Sequence, residues 1–220
     1  MTFSETFKPT ALFFLLVLAA MLRCLPAHAA PTETLTVAGG CFWCVESDFE
    51  SVPGVIEAVS GFTGGALDNP TYKQVTGGNT GHYEAVEISF DPAKVSRETL
   101  LAMFLRSVDP TDAGGQFCDR GDSYRTAIFV SNAGEKALAT RIKTQAQADL
   151  GQTIVTPVLS TSEFYPAEAY HQDYYKGSKL VFTRFGPKRQ NSAYKAYRKA
   201  CGRDARVKQL WGKDAPFTGS

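Results

Sequence analysis

The chain has 220 residues, a formal net charge of +1 and a hydrophobic fraction of 44%. That length allows one domain with a full core and hardly two. The near-balanced charge gives no reason to expect nucleic acid, a charged membrane surface or a strongly acidic substrate as partner, and the apolar content excludes general disorder.

Lys8 precedes an unbroken apolar run from Ala11 to Leu22. The run has the length of a signal-peptide core and is too short to span a bilayer. Ala27 and Ala29 then form a small-x-small cleavage pattern. Residues 1–29 are expected to be a signal peptide, with the mature chain beginning at Ala30; the alternative for the same run is an uncleaved anchor. Export implies an oxidising compartment, most simply a bacterial periplasm, with no stable membrane association after cleavage. Arg23 before Cys24 argues against a lipidated cysteine. The mature chain keeps Cys41, Cys44, Cys118 and Cys201.

Leu35–Ala38 reads as a short strand ending at Gly39-Gly40. Cys41–Phe49 has helical spacing in Phe42, Val45 and Phe49, and Pro53-Gly54 stops it. Val55–Phe62 is a second strand, and Tyr72–Val75 a turn within a polar loop. Tyr83–Phe90 alternates cleanly and is the clearest strand. Ser96 caps an apolar helix over Leu100–Val108. An irregular loop follows from Asp109 to Asp122. Tyr124–Val130 is a strand, and Asn132 caps a longer helix to about Leu150. In the strand Ile154–Leu159, Pro157 points to a sheet edge or a bulge. Pro166 opens a short helix through Tyr175. From about Gly177 the chain reads as an irregular tail packed on the surface. The order predicts one α+β domain over 30–220, with a ferredoxin-like split βαβ core, a mixed or antiparallel sheet and helices packed on it.

The densest chemical signal is Gly39-Gly40-Cys41-Phe42-Trp43-Cys44. Glycines let the chain turn sharply from strand into helix. A cysteine in the first helical turn meets unpaired N–H groups and the positive end of the helix dipole, which favour its thiolate. Cys44, three residues on, shares the helix face. Phe42 and Trp43 are either core residues or the walls of a pocket for a small alkyl group. Glu84 shares a strand face with Val86, Ile88 and Phe90, so desolvation should raise its pKa and suit it to act as an acid. The segment Gly114–Arg125 offers Asp119 to hold a water and Tyr124 to donate a hydrogen bond, unless it is only a tight-turn loop with a solvated charge pair. The aromatic run Phe164–Tyr175 reads as a cleft wall or a helix bedded on the core, with His171 structural.

Gly-Cys-Phe-Trp at 40–43, Asn69-Pro70-Thr71-Tyr72, Gly81-His82-Tyr83-Glu84, Asp119–Arg125 and Tyr165-Pro166-Ala167-Glu168 occur in the order seen in the A-type peptide-methionine sulfoxide reductases, which the chain resembles over roughly residues 34–212. The resemblance implies reduction of the S epimer of methionine sulfoxide, free or in peptides, by a thioredoxin-like reductant, without metal or bound cofactor. It implies that Cys41 is the nucleophile, that Phe42 and Trp43 receive the methyl group, and that Glu84 is the acid. Tyr72 and Tyr124 then donate hydrogen bonds to the sulfoxide oxygen, and Asp119 holds water. Many relatives carry glycine where this chain has Cys44, and resolve the oxidised nucleophile with cysteines of a mobile tail. Cys44, Cys201 and Cys118 therefore compete as resolving cysteine, with Cys44 favoured because the i, i+3 spacing needs the least chain movement.

Three alternatives stand beside this reading. Cys41-x-x-Cys44 after a strand suits an exported thiol–disulfide oxidoreductase, which leaves Glu84 without a role. A zinc site would need a second close ligand pair, whereas Cys118, Cys201 and His82 are scattered. A non-catalytic secreted domain would carry disulfides Cys41–Cys44 and Cys118–Cys201. With no heptad pattern, a monomer is the default.

Overall fold

The computed structural model describes residues 31–219. The expected signal peptide, its cleavage site and Cys24 lie outside the described residues.

Strand β1 (Glu33–Gly39) lies inside the sheet because both its faces are covered: Leu35 and Val37 on one side, Ala38 on the other. It pairs antiparallel with β3 (Tyr83–Phe90) and with β6 (Thr126–Val130). Strand β2 (Val55–Thr63) pairs antiparallel with the far side of β3. β1 and β2 therefore run in the same direction with β3 between them, joined by helix α1 (Phe42–Glu50). β3 and β6 flank β1 in the same way, joined through a connection that contains α3 (Arg97–Ser107). These two interleaved split βαβ units are the expected ferredoxin-like core. Helix α4 (Ala133–Leu150) then crosses to β7 (Val158–Ser160), parallel to β6 at the sheet edge, which makes the sheet mixed. Pro157 immediately precedes that edge strand, where its missing N–H costs no ladder bond.

Local chemistry sets the element ends. Ser96 Oγ accepts the Thr99 N–H at 3.1 Å and Asn132 Oδ1 accepts the Glu135 N–H at 2.9 Å, so both predicted N-caps form. Gly151 closes α4 at φ 67. The main core lies between one sheet face and α1, α3 and α4, with Val37, Val86, Ile88, Phe49, Phe104 and Leu105 at its centre. Phe49 has no exposed surface, and Phe49→Ala should lower unfolding stability by about 3–5 kcal/mol, read from urea denaturation. Among the described residues no helix is long and apolar enough to cross a membrane.

Four segments differ from the sequence expectation. Tyr72–Thr76 is a short helix, α2, rather than a turn, because Thr71 and Gln74 form a reciprocal capping box. Tyr124 ends a 3-10 turn (Asp122–Tyr124), and its strand begins only at Thr126. No helix opens at Pro166. Tyr165–Pro166 forms strand β8 beside β2, and Gln172 ties the following segment down by bonding both backbone groups of Ser60. A single 3-10 turn, Tyr174–Lys176, remains.

The stretch from Gly177 is not an irregular tail. It builds a hairpin of β9 (Leu180–Thr183) and β10 (Gly186–Arg189), then helices α5 (Gln190–Ala200) and α6 (Arg203–Trp211). The buried side of this pair uses Tyr194, Arg198, Arg203 and Trp211 in place of an aliphatic stripe. Aliphatic periodicity therefore could not reveal it.

Candidate active site

The site forms where β1 gives way to α1. Gly40 turns at φ 80, and a Cβ there would stand 2.5 Å from the side chain of Gln116. Gln116 is fixed in turn by bonds with the Asp109 N–H and carbonyl. The glycine thus lets the nucleophile turn press against the loop that carries Asp119. Gly40→Ala should lower both activity and stability, and a thermal melt beside an activity assay would show the joint loss.

Cys41 occupies the N-cap position of α1 and is buried. The Phe42 N–H donates to Glu84 Oε2 at 3.1 Å, so strand β3 and the head of α1 are joined at the reacting end. Glu84 is 1% exposed, and its Oε1 has no hydrogen-bond partner among the described residues. Burial pushes its pKa up to about 8, opposed by the Phe42 bond and raised further by Asp119. The carboxyl is therefore a neutral acid at pH 7, as its strand face predicted.

The hydroxyls of Tyr72, at the start of α2, and Tyr124 interact with each other and with the Glu84 charge. Burial, then Glu84, raises both phenols above their ordinary value, so both remain donors. Phe42 and Trp43 belong to an aromatic cage. Phe42 lies 6.1 Å from Tyr72 and 5.2 Å from His171 between ring centroids, and Trp43 stacks on Tyr174 at 3.9 Å. Phe42 is also part of the main core, so one ring serves both purposes. His171 is 2% exposed and makes no hydrogen bond from either ring nitrogen among the described residues; burial, opposed by Glu168 at 4.0 Å, lowers its pKa to about 4. Its ring packs against Phe42, Trp43 and Tyr72.

Asp119 lies in β5 (Asp119–Arg120), which pairs with β4 (Gly115–Gln116) as a small hairpin with Cys118 near its tip. Its carboxylate accepts a hydrogen bond from the Tyr197 hydroxyl of α5. Burial raises its pKa and that bond lowers it. Arg120 is turned away, paired with Asp112 on the surface. Sequence reasoning missed Tyr174, Tyr194 and Tyr197. The first lies in the aromatic run flagged as a cleft wall; the others lie in the segment read as a tail.

The structure divides the four cysteines into two pairs. Cys118 and Cys201 form a disulfide with Cα atoms 4.9 Å apart, and Cys118 is its exposed end. Cys41 and Cys44 are free and buried. Of the two disulfides in the non-catalytic alternative, Cys118–Cys201 is present and Cys41–Cys44 is open in this structure. The surroundings of Cys41 act against the thiolate that the helix start favours. Its hydrogen bond to Cys44, burial and the nearby carboxylates push its thiol well above the ordinary value. Cys44 is lowered by that same bond and by the guanidinium groups of Arg203 and Arg198. Arg198 is anchored on Asp48 at 2.7 Å beneath the site. For Cys41, the Cys44 hydrogen bond and burial are the two largest causes, and both oppose the thiolate that the helix end favours. With Glu84 protonated, one opposing charge is gone, and Cys44 sits where it can take the Cys41 proton.

The arrangement offers a nucleophilic sulfur, a neutral buried acid, two phenol donors and an aromatic cage around one point. The sequence matches the family described as peptide methionine sulfoxide reductase over residues 33–214. The chain belongs to that family. With membership goes the chemistry of an oxidoreductase that reduces methionine sulfoxide. It is 50% identical to the peptide methionine sulfoxide reductase MsrA 2 of Caulobacter vibrioides, over 90% of this chain and 96% of that one. It is 45% identical to an MsrA of Listeria welshimeri, over 81% and 96%. Among solved structures, reduced Mxr1 of Saccharomyces cerevisiae aligns with a TM-score of 0.64 at 28% identity, covering 70% of this chain and 90% of that one. Methionine sulfoxide reductase A of Corynebacterium diphtheriae aligns at 0.61 and 30%, covering 74% and 80%.

Proposed function

We propose that this reductase acts on the S epimer of methionine sulfoxide, and that Cys41 attacks the sulfoxide sulfur. The observation that carries this is Glu84: a buried, neutral carboxyl with an unpartnered oxygen beside a buried thiol. A sulfoxide oxygen is a poor leaving group until it gains protons, so the acid and the two phenols Tyr72 and Tyr124 supply or stabilise them. The methyl group enters the cage of Phe42, Trp43 and Tyr72. Exchanging oxygen and methyl would bury the oxygen against aromatic rings, which discriminates the R epimer. Asp119, held by Tyr197, orients water near the sulfur.

The thioether leaves, and Cys41 becomes a sulfenic acid. Cys44 then condenses with it, forming the Cys41–Cys44 bond and releasing water. An external dithiol of thioredoxin type reduces that bond by exchange. The test is one turnover by reduced protein, followed by alkylation and peptide mapping. The wild type should show a Cys41–Cys44 disulfide. Cys44→Ser should leave a sulfenic acid that dimedone traps, and an intramolecular disulfide formed at the wild-type rate would refute the assignment.

Export to a periplasm is part of the proposal. It is supported by Lys8, the apolar run Ala11–Leu22 and the Ala27-x-Ala29 pattern, and the Cys118–Cys201 bond suits an oxidising compartment. N-terminal sequencing of the protein recovered from the producing cell should begin at Ala30. The mature protein is proposed to act as a monomer.

A further inference from the structure

The chemistry above involves a side chain the size of methionine sulfoxide and leaves the β9–β10 hairpin unexplained. Among the described residues six large hydrophobic side chains are exposed, and three, Leu180, Phe182 and Phe185, lie on this hairpin. Phe182 is 87% exposed and Leu180 66%. Their strand partners are Pro187 and Arg189, so these four residues share one face. The same hairpin carries Lys179, Arg184, Lys188 and Arg189, and the chain has no Asp or Glu from Gly177 to Arg203. None of those four cations is in an ion pair among the described residues.

The hairpin is held at its base. The Gln190 N–H donates to the Lys179 carbonyl at 3.0 Å, and the Arg189 guanidinium donates to the Ser178 carbonyl at 2.9 Å. Thr183 Oγ1 ties the turn by donating to the Gly186 carbonyl and accepting the Phe185 N–H. A groove of about 310 Å³ runs between hairpin and α5, with Trp43, Tyr174, Phe182, Arg184 and Tyr197 in its lining. Trp43 is also a wall of the methyl cage. Trp43 is thus shared by the groove and the site, and Tyr194 of the groove lining packs with Cys41 and Cys44.

We propose that this hairpin and groove bind the polypeptide on either side of the oxidised methionine, and that they favour apolar and acidic flanking residues. The inference rests on the proposed reading of the site. The shared Trp43, and Tyr194 packed on Cys41 and Cys44, put this groove next to the reacting sulfur, within reach of the chain that flanks a bound sulfoxide. Leu180 and Phe182 supply apolar contact, and Lys179, Arg184, Lys188 and Arg189, with no carboxylate ion pair among the described residues, give the face a positive charge that an acidic neighbour complements. Methionines that become oxidised within core segments are flanked by apolar residues, so the ledge matches the substrates such a repair enzyme meets. A held hairpin loses little entropy on binding.

The test uses binding without turnover. Fluorescence anisotropy is measured with labelled peptides that have a central methionine and Glu/Leu/Phe, Gly/Ser or Lys flanks. The Glu/Leu/Phe peptide should bind about tenfold more tightly than the Gly/Ser peptide, the Lys peptide most weakly, and added salt should shrink the spread. A Leu180→Ser/Phe182→Ser double variant, altered only at exposed positions, should lose most of the difference. With the sulfoxide peptide its KM should rise about tenfold at unchanged kcat, while N-acetylmethionine sulfoxide is turned over as by wild type. Equal affinity for the three peptides would overturn the proposal. So would an equal loss of N-acetylmethionine sulfoxide turnover, which would make the hairpin a support of the site. Phe182-dependent cosedimentation with phosphatidylglycerol vesicles, with peptide affinity unchanged by the variant, would reassign the surface to a membrane. If the wild type reduces neither substrate, the reading of the site fails, and the anisotropy series still judges the groove.

Discussion

Cys41→Ser is expected to abolish reduction of both free and peptide-bound methionine S-sulfoxide, with a loss on the order of 10⁴-fold or more. The serine hydroxyl cannot form the sulfur–sulfur and sulfenate chemistry on which each step depends. The fold should survive, because the side chain is small, sits at an N-cap and leaves the Phe42–Glu84 bond in place. Separated S and R epimers of a peptide sulfoxide, with dithiothreitol as reductant, provide the measurement. Turnover of S alone by wild type, absent in the variant, is the expected result. A folded, reduced wild type that turns over neither epimer would refute the proposed substrate and favour simple thiol–disulfide exchange at Cys41 and Cys44. Reduction of insulin disulfides would then be the positive test.

The second large effect concerns Glu84. Glu84→Gln keeps an acceptor for the Phe42 N–H and removes the acidic proton. The rate should fall about 10²- to 10⁴-fold. The wild-type kcat should also decline as pH rises through about 8, where the carboxyl ionises, and the variant should lack that limb. Stability should report the same group. Unfolded, Glu84 ionises near the ordinary value of 4.5, whereas folded it keeps its proton to about 8. Between those values the folded state holds the extra proton, so this carboxyl makes the protein less stable as pH rises across the window. Urea midpoints of wild type and variant should diverge in favour of the variant from about pH 5 to about pH 8. Parallel midpoints would mean that Glu84 is ionised in the folded protein, and the acid role would have to pass to the phenols.

Both predictions rest on residues legible in the sequence, and for the same reason. Cys41 was marked by Gly39-Gly40 before it and helical spacing after it. Glu84 was marked by the period of two along Tyr83–Phe90. Each signal is local, since the chain within a few residues decides where those side chains point. The capping residues Ser96 and Asn132 belong to the same class, and with the strand order they determined the split βαβ core.

The tertiary structure decided what local patterns could not. Asp119 meets Tyr197 across 78 positions, and Cys118 meets Cys201 across 83, so no spacing rule could pair them. That pairing left Cys44 as the free thiol beside Cys41. The direction of the two buried thiols is set first by their own bond over three residues, and then by burial and by Arg203 and Arg198 of the C-terminal helices, which favour charge on Cys44. The C-terminal segment escaped notice because tyrosines and arginines bury its inner side while its outer face stays apolar and basic. By itself, then, the sequence determined the core topology and marked Cys41 and Glu84 as the candidates for nucleophile and acid, because backbone period and turn chemistry act over a few residues. Only the folded chain decided which cysteines pair, which ring completes the cage and where a substrate's flanking chain can lie, because those depend on contacts between segments far apart in sequence.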